Sequence, residues 1–129
     1  MVIAMLKKII AVALSLLFSS TVLAQHPEFF LEIKDHLFYP AEIHIPEDKK
    51  VKLIIYNYDP TPEEFDSFDL NREKVIFPHQ KSVIFIGPLP KGRYSFFGEY
   101  HPNSAKGVVI VDDGNSDVKQ ASVESSDVN

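Results

Sequence analysis

The chain has 129 residues, 13 basic and 18 acidic, a net charge of −5 and no cysteine. This length favours one domain, and the acidic balance argues against a nucleic-acid partner. Without cysteine there are no disulfides and no thiolate ligands, so any metal is left to His, carboxylates, Met or backbone.

Lys7 and Lys8 precede an apolar run from Ile9 to Phe18, then Ser19, Ser20, Thr21 and Val22-Leu23-Ala24. That order describes a secretory signal peptide over residues 1–24, cleaved before Gln25. The run falls short of the roughly 20 apolar residues that a transmembrane helix needs. An exported protein is therefore expected. Losing Lys7 and Lys8 leaves 11 basic residues against 18 acidic ones, a mature charge of −7.

The rest of the chain lacks helical periodicity. Short apolar runs alternate with turn signals, the pattern of an all-β sandwich. The expected strands are Phe29–Ile33, Ile43–Ile45, Val51–Asn57, Glu64–Leu70, Lys74–Phe77, Ser82–Ile86, Arg93–Phe97 and Val108–Val111, about eight in all. Val51, Leu53 and Ile55 share one face. The domain is expected over 25–112. Residues 113–129 hold too little apolar surface to offset ordering entropy and read as a disordered tail. Leu89-Pro90-Lys91-Gly92-Arg93-Tyr94 places a Tyr two residues after a turn glycine, as in a tyrosine corner across a Greek-key connection.

No hydrolase triad, phosphate loop or HExxH helix is present, so a conventional enzyme is not expected. Four histidines carry weak signals. His44 alternates with Ile43 and Ile45 and should face solvent. His36 precedes Leu37-Phe38 in a loop, His79 follows Pro78 in a turn, and His26 adjoins the expected new N-terminus.

Beyond the corner the chain runs Tyr94-Ser95-Phe96-Phe97-Gly98-Glu99-Tyr100-His101-Pro102, then reaches Gly107 and a Val-rich strand. This resembles the cupredoxin family. Its blue copper members end on Tyr-x-Phe-x-Cys, a short loop with His and Met, then Gly and a last strand. The resemblance implies a cupredoxin-like Greek-key β-sandwich. It also puts Gly98 at the Cys position and Ala105 at the axial Met position. The family's first His follows a strand ending in Asn; here Asn57 ends that strand and Glu64 occupies the region. Of the blue-copper ligands only His101 remains.

A blue site needs a thiolate with two imidazoles, so type 1 copper is not expected. The candidate metal ligands are His101, Glu64, Glu99, Asp66 and Glu73. Imidazole with carboxylate suits iron, manganese, zinc or Cu(II). In an extended segment Glu64 and Asp66 share one face, with Phe65 and Ser67 on the other. On the strand of Tyr94, Phe96 and Gly98, Glu99 points the opposite way. The missing side chain at Gly98 should open space, with any metal held by loop residues around it. The alternative for each acid is a solvated carboxylate, and for His101 a hydrogen-bonded loop histidine.

Glu64-Phe65-Asp66-Ser67, Leu70, Arg72-Glu73-Lys74-Val75, Gly87-Pro88-Leu89 and Phe97 to Pro102 are similar to a narrower group. These are Cys-lacking periplasmic cupredoxin-like proteins that accompany inner-membrane iron permeases in bacterial ferrous-iron uptake. The resemblance implies binding of iron or copper for the permease. A ferroxidase-like step would need the same site plus an electron acceptor that the sequence does not identify. The alternative is a metal-free sandwich that docks a membrane partner.

Overall fold

The computed structural model describes residues 1–8, 23 and 25–113. Most of the expected leader, and the tail from residue 114, lie outside these residues. Nine strands follow one another: β1 (Glu28–Lys34), β2 (Leu37–Tyr39), β3 (Glu42–Pro46), β4 (Val51–Asn57), β5 (Glu63–Ser67), β6 (Arg72–Ile76), β7 (Lys81–Ile86), β8 (Gly92–Gly98) and β9 (Lys106–Asp112). The extra strand relative to the sequence reading is β2, three residues long and too short to carry a pattern. The expected strand to Leu70 stops at Ser67, where the Ser67 hydroxyl accepts the Leu70 N–H at 3.1 Å and turns the chain.

Two sheets face each other, one in the order β2-β1-β4-β7 and the other β3-β9-β8-β5-β6. β1 and β4 pair in parallel, as do β3 and β9; the remaining pairs are antiparallel. The alternation read from β4 holds, with Val51, Leu53, Ile55 and Asn57 all turned inward. Leu31, Ile33, Leu53 and Ile55 of one sheet meet Phe65, Phe96, Val109 and Val111 of the other in the core. Burying each such side chain contributes about 1.5–3 kcal/mol, which the fold needs because it has no cross-link. Phe65, Phe96 and Phe38 form an aromatic centre with ring centroids 5.0 to 6.2 Å apart. The tyrosine corner is present: the Tyr94 hydroxyl donates to the Pro90 carbonyl at 2.8 Å.

The edge strand β3 is clasped to β9 by His44, whose neighbours Ile43 and Ile45 are buried. Its Nδ1 meets Asp112 Oδ2 at 2.9 Å and its Nε2 meets Glu42 Oε1 at 2.7 Å. Only the imidazolium donates from both nitrogens, so Asp112 first, then Glu42, raise the His44 pKa above 6.5. The stabilisation is complete below that unfolded value and is lost as pH rises through the raised folded one. About a third of the side chain is exposed, so solvent screening keeps the effect small. His44→Gln is expected to lower the urea midpoint at about pH 5.5 and leave it unchanged at about pH 9. An equal loss at both would rule the charged clasp out.

Candidate metal centre

Three connections meet at one end of the sandwich: the β1–β2 turn, the segment from β4 to β5, and the β8–β9 loop. Strand β5 decides what faces inward there. Its anchor is Phe65, fully buried in the core. By the two-residue period Glu63 and Ser67 share that inner face, and Glu64 and Asp66 lie on the outer one. Glu63 is 1% exposed. Its Oε1 accepts the N–H of Glu64 at 3.0 Å and of Tyr100 at 3.1 Å. Its Oε2 lies 2.6 Å from Nδ1 of His101. A carboxylate shut away from water is costly unless it is paired, and among the described residues its ionic partner is an imidazole, not a Lys or Arg.

The space expected at Gly98 is not open. A Cβ built there would meet Ala105 Cβ at 2.8 Å, Glu63 Cδ at 2.8 Å and Glu63 Oε1 at 2.9 Å. The Glu63 carboxyl fills the inward position from the neighbouring strand. Ala105 closes it from the loop, where Gly98 N–H donates to the Ala105 carbonyl at 2.8 Å. The two positions that the resemblance assigns to Cys and Met are therefore both small and packed on each other. His101 is fixed in this loop by backbone bonds: its N–H donates to Gly98 and its carbonyl accepts from Ala105.

The third member is His36. Its ring stacks on that of His101, with centroids 3.8 Å apart and planes at 21°. One donor atom each from His36, Glu63 and His101 lies within 4.8 Å of the others. Nδ1 of His36 is sealed from solvent and makes no hydrogen bond; the nearest carboxylate oxygen, on Asp59, is 3.6 Å away. The ring is thus held by stacking and has donor capacity left over. These donors fit a divalent first-row metal of the kind that accepts imidazole and carboxylate together. They do not fit type 1 copper, which needs a thiolate.

Of the residues proposed from the sequence, His101 lies in this cluster. Glu64, Asp66 and Glu73 lie together on the opposite face of β5 and β6 from Phe65, where Asp66 pairs with Glu73 and Glu64 with Val75; Glu64 is itself buried there, 9% exposed. Glu99, at the start of the loop, adds its charge to them. The Glu64 carboxyl is pushed up to about 7, first by sharing a hydrogen bond with Glu73, then by burial and the charges of Glu73, Asp66 and Glu99. Glu63 is not among the candidates read from the sequence, and His36 is there only a weak loop histidine. The signal for Glu63 was its spacing of two from Phe65, the apolar anchor of the strand. For His36 there was no comparable signal, because β2 is so short.

The nine strands and their order form a cupredoxin-like β-sandwich. The chain belongs to the cupredoxin-like domain family, whose sequence profile matches residues 8–111. An uncharacterized protein of Rickettsia prowazekii (strain Madrid E) is 45% identical over 86 residues, covering 67% of this chain and 69% of that one. The metal-binding domain of the Streptococcus pneumoniae Cu(I)-exporting P-type ATPase CopA, solved with Cu(I), is similar at a TM-score of 0.59 and 17% identity, over 66% of this chain and 84% of that one. Auracyanin A, a blue copper protein of Chloroflexus aurantiacus, gives a TM-score of 0.59 at 8% identity, over 68% of this chain and all (100%) of that one. At these identities the structural likenesses show the fold alone.

Proposed function

We propose that this chain is an exported, periplasmic metal-binding protein that takes divalent iron or copper on His36, Glu63 and His101 and passes it to an inner-membrane iron permease. The observation that carries the metal reading is Glu63, a carboxylate 1% exposed whose ionic partner is a histidine and on whose partner a second imidazole is stacked. A cation between these donors would balance the buried charge. The His36 and His101 side chains are 43% and 34% exposed, so an ion held there sits at the rim and can exchange. That suits cargo better than a sealed structural ion. The outer acidic face of Glu64, Asp66, Glu73 and Glu99 raises the local concentration of cations next to the centre. Support for iron and for the permease comes from the similarity of the segments at 64–75 and 97–102 to the Cys-lacking subgroup.

The test is calorimetric titration of the protein with Fe(II) under anaerobic conditions and with Cu(II), Zn(II) and Mn(II). One saturable site is expected for iron or copper. His36→Ala, Glu63→Gln and His101→Ala should each weaken it by more than about 10-fold, the loss seen when even an outlying support of a metal ligand is removed. Glu64→Gln and Glu73→Gln should change it by less than about 3-fold, since neither carboxyl is a member of the cluster and attraction from beside it is screened. No saturable binding by any of the four ions would overturn the metal reading and leave the sandwich as a docking scaffold. Unchanged binding in the first three variants would place the site elsewhere.

A further inference from the structure

We infer that Asp59 is the positioning residue of the His36 ligand, acting through the backbone of the turn that carries it; this rests on the metal reading above. The turn is the two residues Asp35 and His36, between Lys34 and Leu37, which pair across the hairpin. Both have positive φ, 53° and 60°. Two left-handed residues in a two-residue hairpin are the mark of a type I′ turn, whose usual occupants are Asn-Gly or Asp-Gly. A histidine in the second place carries a Cβ that glycine would not, at a modest conformational cost that needs support. Such strain persists only where the surroundings over-determine the conformation, and it collects at ligand sites.

Asp59 is what over-determines it. Its carboxylate is buried, 6% exposed for the residue. Oδ1 accepts the N–H of Asp35 at 2.8 Å and Oδ2 accepts the N–H of His36 at 2.9 Å. The two N–H groups that the turn points the same way thus converge on one carboxylate. Asp59 is held in turn, since its own N–H donates to Asn57 Oδ1 at 2.9 Å. The Asn57 amide donates to the carbonyls of Thr61 and Ile76 at 2.8 and 3.1 Å. Asn57 is fully buried at the end of β4, so the chain of bonds is rooted in the core. It runs from β4 through Asp59 to the His36 backbone, and from there to a ring stacked on His101. Asp59 touches no other member of the cluster by hydrogen bond. Its hydrogen bonds reach the cluster only through the His36 backbone, and its Oδ2 also lies 3.6 Å from the His36 ring Nδ1.

The probe is Co(II) buffered by a competing chelator, with affinity read from its visible absorption, in the full chain. Asp59→Asn keeps the size but meets one of the two N–H groups with an NH2 donor in place of an acceptor oxygen. It should weaken Co(II) by about 10- to 100-fold, the range found for groups that orient a metal-bound ligand. His36→Gly removes the ligand and gives the turn the residue it prefers; in that background Asp59→Asn should bring no further loss. Asp35→Gly, which takes the left-handed conformation without cost, should restore part of the affinity lost in Asp59→Asn. It also provides a measurable variant if Asp59→Asn alone folds poorly. Wild-type affinity in Asp59→Asn, or the same loss with and without His36, would overturn the inference. If His36→Gly and Glu63→Gln bind Co(II) as well as the parent, the metal reading itself fails, and this inference with it.

Discussion

Gly98→Ala is expected to destabilise the protein by about 2–3 kcal/mol, toward the upper end for adding a methyl group to a packed interior. The new Cβ would lie 2.8 Å from Ala105 Cβ and from Glu63 Cδ. Ala105 has no torsion with which to move away, and its backbone is tied to Gly98 by a hydrogen bond of 2.8 Å. The Glu63 carboxyl is the end of a flexible chain, but two N–H donors and the His101 ring pin it. Urea unfolding of Gly98→Ala, Glu63→Ala and the pair measures the coupling. The double variant should be more stable than the sum of the single losses predicts by at least about 1 kcal/mol, as neighbours that compete for space do. Glu63→Gln, of the same volume, should give no such relief. Additive losses in the Glu63→Ala cycle would show that Glu63 does not fill this position.

Glu64→Gln should stabilise the protein at neutral and alkaline pH. A carboxyl raised from 4.5 in the unfolded chain to about 7 in the folded one binds more protons when folded across that window. Stability therefore falls as pH rises from 4.5 to 7, then levels off. Glutamine keeps the volume and a donor for Glu73 while removing the ionisation. At about 1.4 kcal/mol per pKa unit, and with Glu73 sharing the proton, the gain above pH 7 should be about 1–3 kcal/mol. Below about pH 4.5 the variant and the parent should unfold together. Guanidinium midpoints at the two extremes decide it: a gain that does not depend on pH would mean that packing, not charge, limits Glu64.

The sandwich was legible because its signals are local. The alternation in Val51–Asn57, the break at Gly87-Pro88 and the corner at Gly92-Arg93-Tyr94 each follow from a few adjacent residues, and each appears in the structure. The parity of Glu64 with Asp66, against Phe65, was also readable. Which of the two faces looks inward depends on tertiary packing. Phe65 joins Phe38 and Phe96 in the core, and this turns Glu63 in and Glu64 out. The absence of a side chain at Gly98 was visible, but the group that replaces it comes from another strand. His36 was hidden for a related reason. Its ring reaches the cluster through a left-handed turn conformation that no sequence pattern announces and that Asp59, 23 residues away, supports.

The three donors have a further consequence, for when the protein can hold metal at all. They come from a hairpin turn, the first residue of a middle strand and the last loop; Glu63 and His101 alone are 38 residues apart. No short segment carries two of them, so the extended polypeptide has almost no chelating power. Under the proposed metal reading, affinity belongs mainly to the folded state, and each bound ion would clamp that state, with stability rising as the logarithm of free metal over its dissociation constant. For a chain exported as proposed, this separates passage through the membrane from loading. On that reading the chain in transit lacks the assembled site, and metal would be taken up where the sandwich closes.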